Sequence, residues 1–121
     1  MAAQSSQPLS RRRALKRYGM VIGIKPGQEE AYIAAHRAVP PPVLRMIREC
    51  NIRNYSIFMR NSTLYSYFEY EGSEFSADMA RMAADPATQE WWRQVGPMQD
   101  PFPDRAPAEW WAAMEEVFHV D

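Results

Sequence analysis

The chain has 121 residues, of which 46% are hydrophobic, a composition typical of one globular domain rather than of a disordered polypeptide. Its 14 basic and 15 acidic side chains nearly cancel, so it lacks the positive field of most nucleic-acid-binding proteins. No stretch approaches the roughly 20 apolar residues that span a bilayer. These features argue against nucleic acid and membrane partners and favour an uncharged small molecule.

The N-terminal segment, the cysteine content and the small size of the domain lead to three further expectations. The first 17 residues are polar and basic, and they predict a disordered tail over 1–17 followed by a single domain over 18–121. The single cysteine, Cys50, has no partner for an internal disulfide and no Cys or His nearby at metal-ligand spacing, which favours a cytoplasmic protein without a metal site. A small domain that leaves a sheet face open needs a second chain to cover it, so we expect a homodimer.

The first half of the chain predicts a strand, two helical segments and a hairpin. An apolar run over 18–24 indicates a buried strand. A helix is predicted from Gln28 to the triplet Pro40-Pro41-Pro42. A second helical segment then runs to Asn51. Its core-facing positions recur every three or four residues: Val43, Leu44, Ile47 and Cys50. Residues 54–59 and 63–70 are rich in aromatic and β-branched side chains, which predicts a hairpin.

The second half predicts two more helices and a final strand. Ser73 is expected to cap a helix that begins at Glu74, and Asp85-Pro86 to begin the next helix, which ends at Gly96-Pro97. Four prolines within 97–107 predict an extended surface loop. A short helical turn at Trp110-Trp111 and a last strand over 116–120 complete the chain. The order β-α-β-β-α-β predicts an α+β, ferredoxin-like sandwich, with an antiparallel sheet and helices on one of its faces.

Tyr32 and His36 are the first candidates for chemistry because they lie four residues apart on the first predicted helix and share one face. His36 also lies just before the helix-ending prolines, where a ligand could reach it. A solvated helix-end histidine is the simpler interpretation of the spacing alone.

Aromatic residues supply the other candidates. Tyr55 points to the same side of its strand as Ile57 and Met59, and a ligand hydroxyl or a backbone carbonyl would satisfy its own hydroxyl. Trp91 and Trp92 point about 100° apart on a helix, so one of them is expected to face a cavity. An indole suits sugar recognition, but burial in a core or a dimer interface explains a tryptophan equally well. The pair Trp110-Trp111 raises the same question.

Several blocks of this sequence together resemble the L-rhamnose mutarotase family, in the expected order from about Tyr18 to the C-terminus. They are Glu30-Ala-Tyr32 with His36, Arg53-Asn-Tyr55-Ser-Ile57, Gln89-Glu-Trp91-Trp92, Pro103-Asp104, and the ending Glu116-Val-Phe-His-Val120. The resemblance implies a ferredoxin-like homodimer of the dimeric α/β barrel type and a cofactor-independent isomerase that interconverts sugar anomers. It implies that His36 is the acid/base residue and that Tyr32, Tyr55, Trp91 and Trp92 contact the sugar.

The resemblance does not identify a second proton-transfer group. Tyr32, Asp104, His119 and water are all candidates.

One block departs from the family pattern. Where relatives have His-x-x-Ile-Trp-Pro-Glu, this chain has His36, Arg37, Ala38, Val39 and then three prolines, and so lacks a tryptophan and a carboxylate near the histidine. The departure bears on the choice of sugar, for which L-rhamnose is the first candidate and L-fucose the second. Two other classes of function remain open: a cofactor-independent oxygenase or haem-handling protein of the same fold, and a non-catalytic interaction protein.

Overall fold

The computed structural model describes residues 15–121, which form an antiparallel sheet packed against four α-helices. In chain order the elements are β1 Lys16–Ile24, α1 Glu29–His36, α2 Pro41–Glu49, β2 Ile52–Arg60, β3 Thr63–Tyr70, α3 Phe75–Ala84, α4 Pro86–Val95, a 3₁₀ turn Gly96–Met98, β4 Gln99–Asp100 and β5 Ala112–Met114. None of these helices is both long and apolar enough to cross a membrane.

The strand order β2-β3-β1-β4 is that of a ferredoxin-like sheet, and it confirms the predicted α+β fold class. The short strands β4 and β5 both pair with the free edge of β1, β4 near its C-terminal end and β5 nearer its middle. The main core lies between the helices and one sheet face. Its fully buried members include Ile22 and Leu64 from the strands and Val43 from α2. Among residues 15–121 no helix covers the opposite sheet face.

The predicted hairpin is present, and its turn has the geometry that a two-residue connection requires. Asn61 and Ser62 have φ values of 52° and 59°, and two consecutive positive φ angles match the twist of the flanking strands. The pairing of β2 with β3 shifts register between Arg53 and Ser56, where Asn54 has a φ of 51°, and this shift is a β-bulge. Beyond this bulge Tyr55 begins the row of side chains that faces the helices.

Asp85 and Pro86 start α4 as predicted. Pro41, predicted only to break the first helix, also starts α2, and Ser73 does not cap α3. Pro41 occupies the first turn of α2, and the Asp85 carboxylate accepts the backbone N–H of Thr88 at 2.9 Å, which caps α4. Glu74, not Ser73, holds the cap position of α3, and no side chain caps that end. The backbone N–H of Glu74 instead donates to the Tyr70 hydroxyl at 3.1 Å, so a tertiary partner replaces the local cap.

Four other predictions need correction. Residues 16 and 17 belong to β1 rather than to the tail, whose remaining part, 1–14, lies outside the described residues. The proline-rich segment is not all loop, because β4 pairs with β1 within it. The last strand is Ala112–Met114, preceded by bends at 110–111 rather than a helical turn, and 116–120 belongs to no helix or strand. Leu44 is 45% exposed, whereas Val43 and Cys50 are buried as expected.

Candidate active site

A cavity of about 660 Å³ lies between the sheet and helices α1, α2 and α4, within the size range of small-molecule sites. Its lining includes all five candidate residues: Tyr32, His36, Tyr55, Trp91 and Trp92. Trp110 and Trp111 line it too, so all four tryptophans of the chain reach this one space. We call it the main cavity. A side cavity of about 480 Å³ shares Tyr32, His36, Tyr55 and Trp91 with it and extends along α2.

His36 is the last residue of α1, and its ring is held in one orientation. The Nδ1 atom lies 2.9 Å from the backbone carbonyl oxygen of Tyr32. A carbonyl only accepts, so Nδ1 carries the proton, and the lone pair of the neutral ring is on Nε2. The ring packs against Tyr32 with centroids 4.2 Å apart, and edge-on against Trp91 at 4.9 Å.

The electrostatic setting of His36 favours its neutral form. Burial among these aromatic rings lowers the pKa of the imidazole below its ordinary value of 6.5, and the hydrogen bond to the Tyr32 carbonyl opposes that shift more weakly. At neutral pH the residue is therefore an unprotonated base with Nε2 available.

Tyr32 is 3% exposed, and a hydrogen bond fixes its hydroxyl. Gln99 donates from Nε2 to the Tyr32 oxygen at 3.2 Å, and Gln99 Oε1 accepts the indole N–H of Trp110 at 2.7 Å. Gln99 was not among the predicted site residues because it lies in the segment predicted to be a surface loop. It stands between Pro97 and Pro101, and no local pattern there indicates a buried amide.

Tyr55 is 43% exposed, but it lines both cavities. Its hydroxyl is crowded by the cavity walls, and this desolvation raises the pKa of the phenol to about 12. Its ring meets that of Phe68 edge-on at 5.7 Å. The phenol is therefore a hydrogen-bond donor or acceptor near neutral pH and not a base.

The two adjacent tryptophans of α4 occupy different environments, as their angular separation predicts. Trp91 is buried, with 8% exposure, and contacts His36, whereas Trp92 is 45% exposed. Both line the main cavity. Each presents a flat apolar surface with one N–H donor, the combination that suits a sugar ring.

The other titratable candidates lie elsewhere. Neither Asp104 nor His119 lines either cavity, and His119 Nε2 lies 2.9 Å from the carboxylate of Asp121. Glu109 is the one carboxylate among the described residues that line the two cavities, and its Oε1 accepts the backbone N–H groups of Ala106 and Ala113. Within residues 15–121 no three His, Cys, Asp or Glu side chains are grouped to hold a metal ion.

The segment that departs from the family pattern forms part of the side cavity. Val39, Val43 and Leu44 line it beside His36, and Pro41 and Pro42 begin α2. This wall of three side chains is apolar, and Arg37, which follows His36 and carries a guanidinium group, lines the same cavity.

A sequence profile of the L-rhamnose mutarotase family matches residues 17–120. The chain belongs to the L-rhamnose mutarotase family. It is 31% identical over 109 residues to the L-rhamnose mutarotase of Phocaeicola vulgatus, a match that covers 88% of this chain and 100% of the relative. It is 32% identical over 107 residues to that of Opitutus terrae, covering 87% and 98%.

Solved structures agree with the fold. The L-rhamnose mutarotase FA22100 from Formosa agariphila superposes with a TM-score of 0.69 at 22% identity, covering 88% of this chain and 99% of that one. Tetracenomycin F2 cyclase from Streptomyces glaucescens superposes with a TM-score of 0.61 at 18% identity, covering 88% and 97%. The shared fold thus occurs with different chemistry, and family membership is what identifies this chain as an isomerase and supports sugar mutarotase activity.

Proposed function

We propose that this protein interconverts the α and β anomers of L-rhamnose or a related 6-deoxy-hexose, with His36 as the acid/base residue. The observation that carries the proposal is the fixed tautomer of His36, whose hydrogen bond to the Tyr32 carbonyl leaves Nε2 as a base within the lining of the main cavity. The family match and the aromatic walls support a sugar as the ligand.

The proposed reaction opens and recloses the sugar ring without a covalent enzyme intermediate. His36 Nε2 removes the proton from the hydroxyl at C1, the C1–O5 bond breaks, and the ring oxygen receives a proton. After rotation about the C1–C2 bond the steps reverse and give the other anomer. Positioned proton transfer of this kind contributes roughly a hundred- to ten-thousand-fold in rate, which suffices because mutarotation already proceeds in water.

L-fucose is the second candidate substrate, because Pro40 and Pro42 replace the tryptophan and glutamate that the family pattern has near the histidine. Val39, Val43 and Leu44 offer no partner to a sugar hydroxyl, so a hydroxyl directed at this wall of the side cavity would lose its hydrogen bonds on binding. The preferred sugar is therefore one whose ring turns a C–H surface toward α2. Comparing sugars that differ at single hydroxyl positions identifies which one it is.

The assembly proposed here is a homodimer formed through the uncovered sheet face. Three large apolar side chains on this face are exposed to solvent: the exposed fraction is 66% for Phe58, 42% for Tyr65 and 41% for Met114. Contiguous exposed apolar surface of this kind marks an interface. Localisation in the cytoplasm stays a prediction from the cysteine content.

Saturation-transfer NMR tests the catalytic proposal, because it follows anomer exchange at equilibrium for L-rhamnose, L-fucose and other aldoses. We expect accelerated exchange for at least one 6-deoxy-hexose. Failure to accelerate any sugar would overturn the proposal, and a spectral shift on adding haem or a quinone would instead favour the oxygenase or haem-handling alternative.

A matched pair of variants tests the role of His36. We expect His36→Gln to lose on the order of a hundredfold or more in exchange rate while remaining folded. His119→Gln makes the same change at a histidine outside both cavities and should keep the wild-type rate. Equal losses in both variants would contradict the assignment of His36.

A further inference from the structure

Trp110, Gln99 and Tyr32 form a hydrogen-bonded triplet whose direction is set by chemistry. The Trp110 indole nitrogen carries a hydrogen and no lone pair to accept with, so it only donates, and the Gln99 amide must turn Oε1 toward it at 2.7 Å. The Nε2 group of Gln99 then faces the Tyr32 hydroxyl oxygen at 3.2 Å. An amide NH₂ only donates, so the Tyr32 oxygen is the acceptor.

The proton of the Tyr32 hydroxyl is consequently left to donate elsewhere. Among residues 15–121 no side chain or carbonyl accepts it. Tyr32 lines both cavities, and its ring centroid is 4.2 Å from that of His36. A ligand in the cavity can supply the acceptor of this proton.

We propose that Gln99 is a positioning residue that makes the Tyr32 hydroxyl the proton donor to the ring oxygen of the sugar, with Trp110 setting the orientation of the Gln99 amide. This inference rests on the mutarotase function proposed above. It assigns the second proton-transfer group, which that function requires, and gives Trp110 a role distinct from that of Trp91 and Trp92.

The proton balance closes with these groups. As His36 Nε2 takes the proton from the C1 hydroxyl, the C1=O bond forms and the electron pair of the breaking C1–O5 bond takes the proton of Tyr32. The N–H of Gln99 then stabilises the tyrosinate oxygen. Burial raises the pKa of Tyr32, and the hydrogen bond from Gln99 opposes this rise. Reclosure on the other face of the carbonyl returns both protons.

The backbone around Gln99 holds it in place. Gln99 is 5% exposed and pairs with Ile24 of β1, and the neighbouring Lys25 N–H donates to the carbonyl of Met98 at 2.8 Å. A buried amide whose two ends are both bonded has little freedom to rotate, so the direction of the triplet is preserved when a ligand enters.

Gln99→Glu tests the inference because it keeps the shape and reverses one hydrogen bond. Both oxygens of the introduced carboxylate accept, so one still binds Trp110 while the other takes the Tyr32 proton. We expect kcat for anomer exchange to fall about tenfold to a hundredfold, with KM within about twofold, because the lost interaction belongs to the transition state. Gln94→Glu on the exposed side of α4 is the control and should behave as wild type, because Gln94 lines neither cavity.

Two further variants keep the test decisive if the buried carboxylate prevents folding. Gln99→Met has similar volume and no hydrogen-bonding amide, and should also lower kcat more than it raises KM. Tyr32→Phe should lose at least as much, and the double variant Tyr32→Phe with Gln99→Met should be no slower than Tyr32→Phe alone, since both act on one proton. The ¹³Cζ signal of Tyr32 should shift in the Gln99 variants without sugar present.

The outcomes separate this inference from the proposed function. A wild-type protein that accelerates no sugar overturns the function. A wild-type protein that is active, together with folded Gln99→Met and Gln99→Glu variants of unchanged kcat, overturns the role of Gln99 alone. Additive losses in the double variant would likewise overturn it, since Gln99 would then act independently of Tyr32.

Discussion

At the residue scale, the environment of His36 predicts the pH dependence of activity. Because burial lowers the pKa of the imidazole below 6.5, the neutral base persists under mildly acidic conditions. We expect the acidic limb of kcat/KM for anomer exchange to have its midpoint below pH 6.5. A pH profile measured by saturation-transfer NMR checks this, and a midpoint above 6.5 would contradict the desolvated setting.

The same shift links protonation to stability. The unfolded chain takes up a proton on this histidine near pH 6.5, whereas the folded protein binds it only at lower pH. The contribution of His36 to the free energy of unfolding is therefore fully present above pH 6.5 and is lost as the pH falls toward the folded-state value. Chemical denaturation should show a shallower pH dependence in His36→Gln than in wild type between these two values.

Residue-level prediction from the sequence worked where the partners are close in the chain. The four-residue spacing of Tyr32 and His36 placed both rings on one face of a helix, and the structure brings them into contact. Gln99 and Tyr32 are 67 positions apart, and their hydrogen bond depends on how β4 pairs. No local pattern encodes such a contact, so the polar partner of Tyr32 emerged only from the fold.

At the element scale, Gly23 allows β4 to lie close to β1. A Cβ atom at this position would approach the backbone carbonyl oxygen of Asp100 to 2.7 Å, a distance at which the strand must move. We expect Gly23→Ala to displace β4, to separate Gln99 from Tyr32 and to lower kcat as the Gln99 variants do. Anomer-exchange kinetics measure the effect.

Gly19→Ala, also on β1, is the matched control, because Gly19 lines neither cavity and a Cβ placed there meets the flexible end of the Met114 side chain at 3.3 Å. It should keep the wild-type kcat. An active Gly23→Ala protein with wild-type kcat would show that β4 tolerates the displacement.

Elements with strong local signals were predicted well, and those made by pairing at a distance were not. The hairpin and the starts of α2 and α4 follow from turn residues, prolines and a capping aspartate within a few positions. The strands β4 and β5 have two and three residues and exist because the edge of β1 accepts them. Prolines at 97, 101, 103 and 107 led to the prediction of a loop where β4 forms. The apolar residues at 116–120 led to the prediction of a last strand C-terminal to the observed β5.

At the scale of the whole molecule, the uncovered sheet face predicts self-association. Tyr65 lies on the central strand β3, and its side chain points away from the helices because its neighbours Leu64 and Ser66 point toward them. We expect wild-type protein to sediment as a dimer and Tyr65→Arg to sediment as a folded monomer, because a buried unpaired charge opposes the interface. Ala80→Arg on exposed α3 should remain dimeric, and a monomeric wild type would refute the prediction.

The clustering of Trp91, Trp92, Trp110 and Trp111 around one cavity gives the protein an intrinsic optical probe. When the protein is excited at the red edge of the indole band, only its four tryptophans emit. Because all four line the main cavity, the fluorescence of the protein arises from the walls of that cavity. A sugar that displaces water from these rings changes their polarity and quenching. Unlabelled protein can therefore be titrated with any candidate ligand, including one that binds without being turned over, and occupancy is read separately from catalysis.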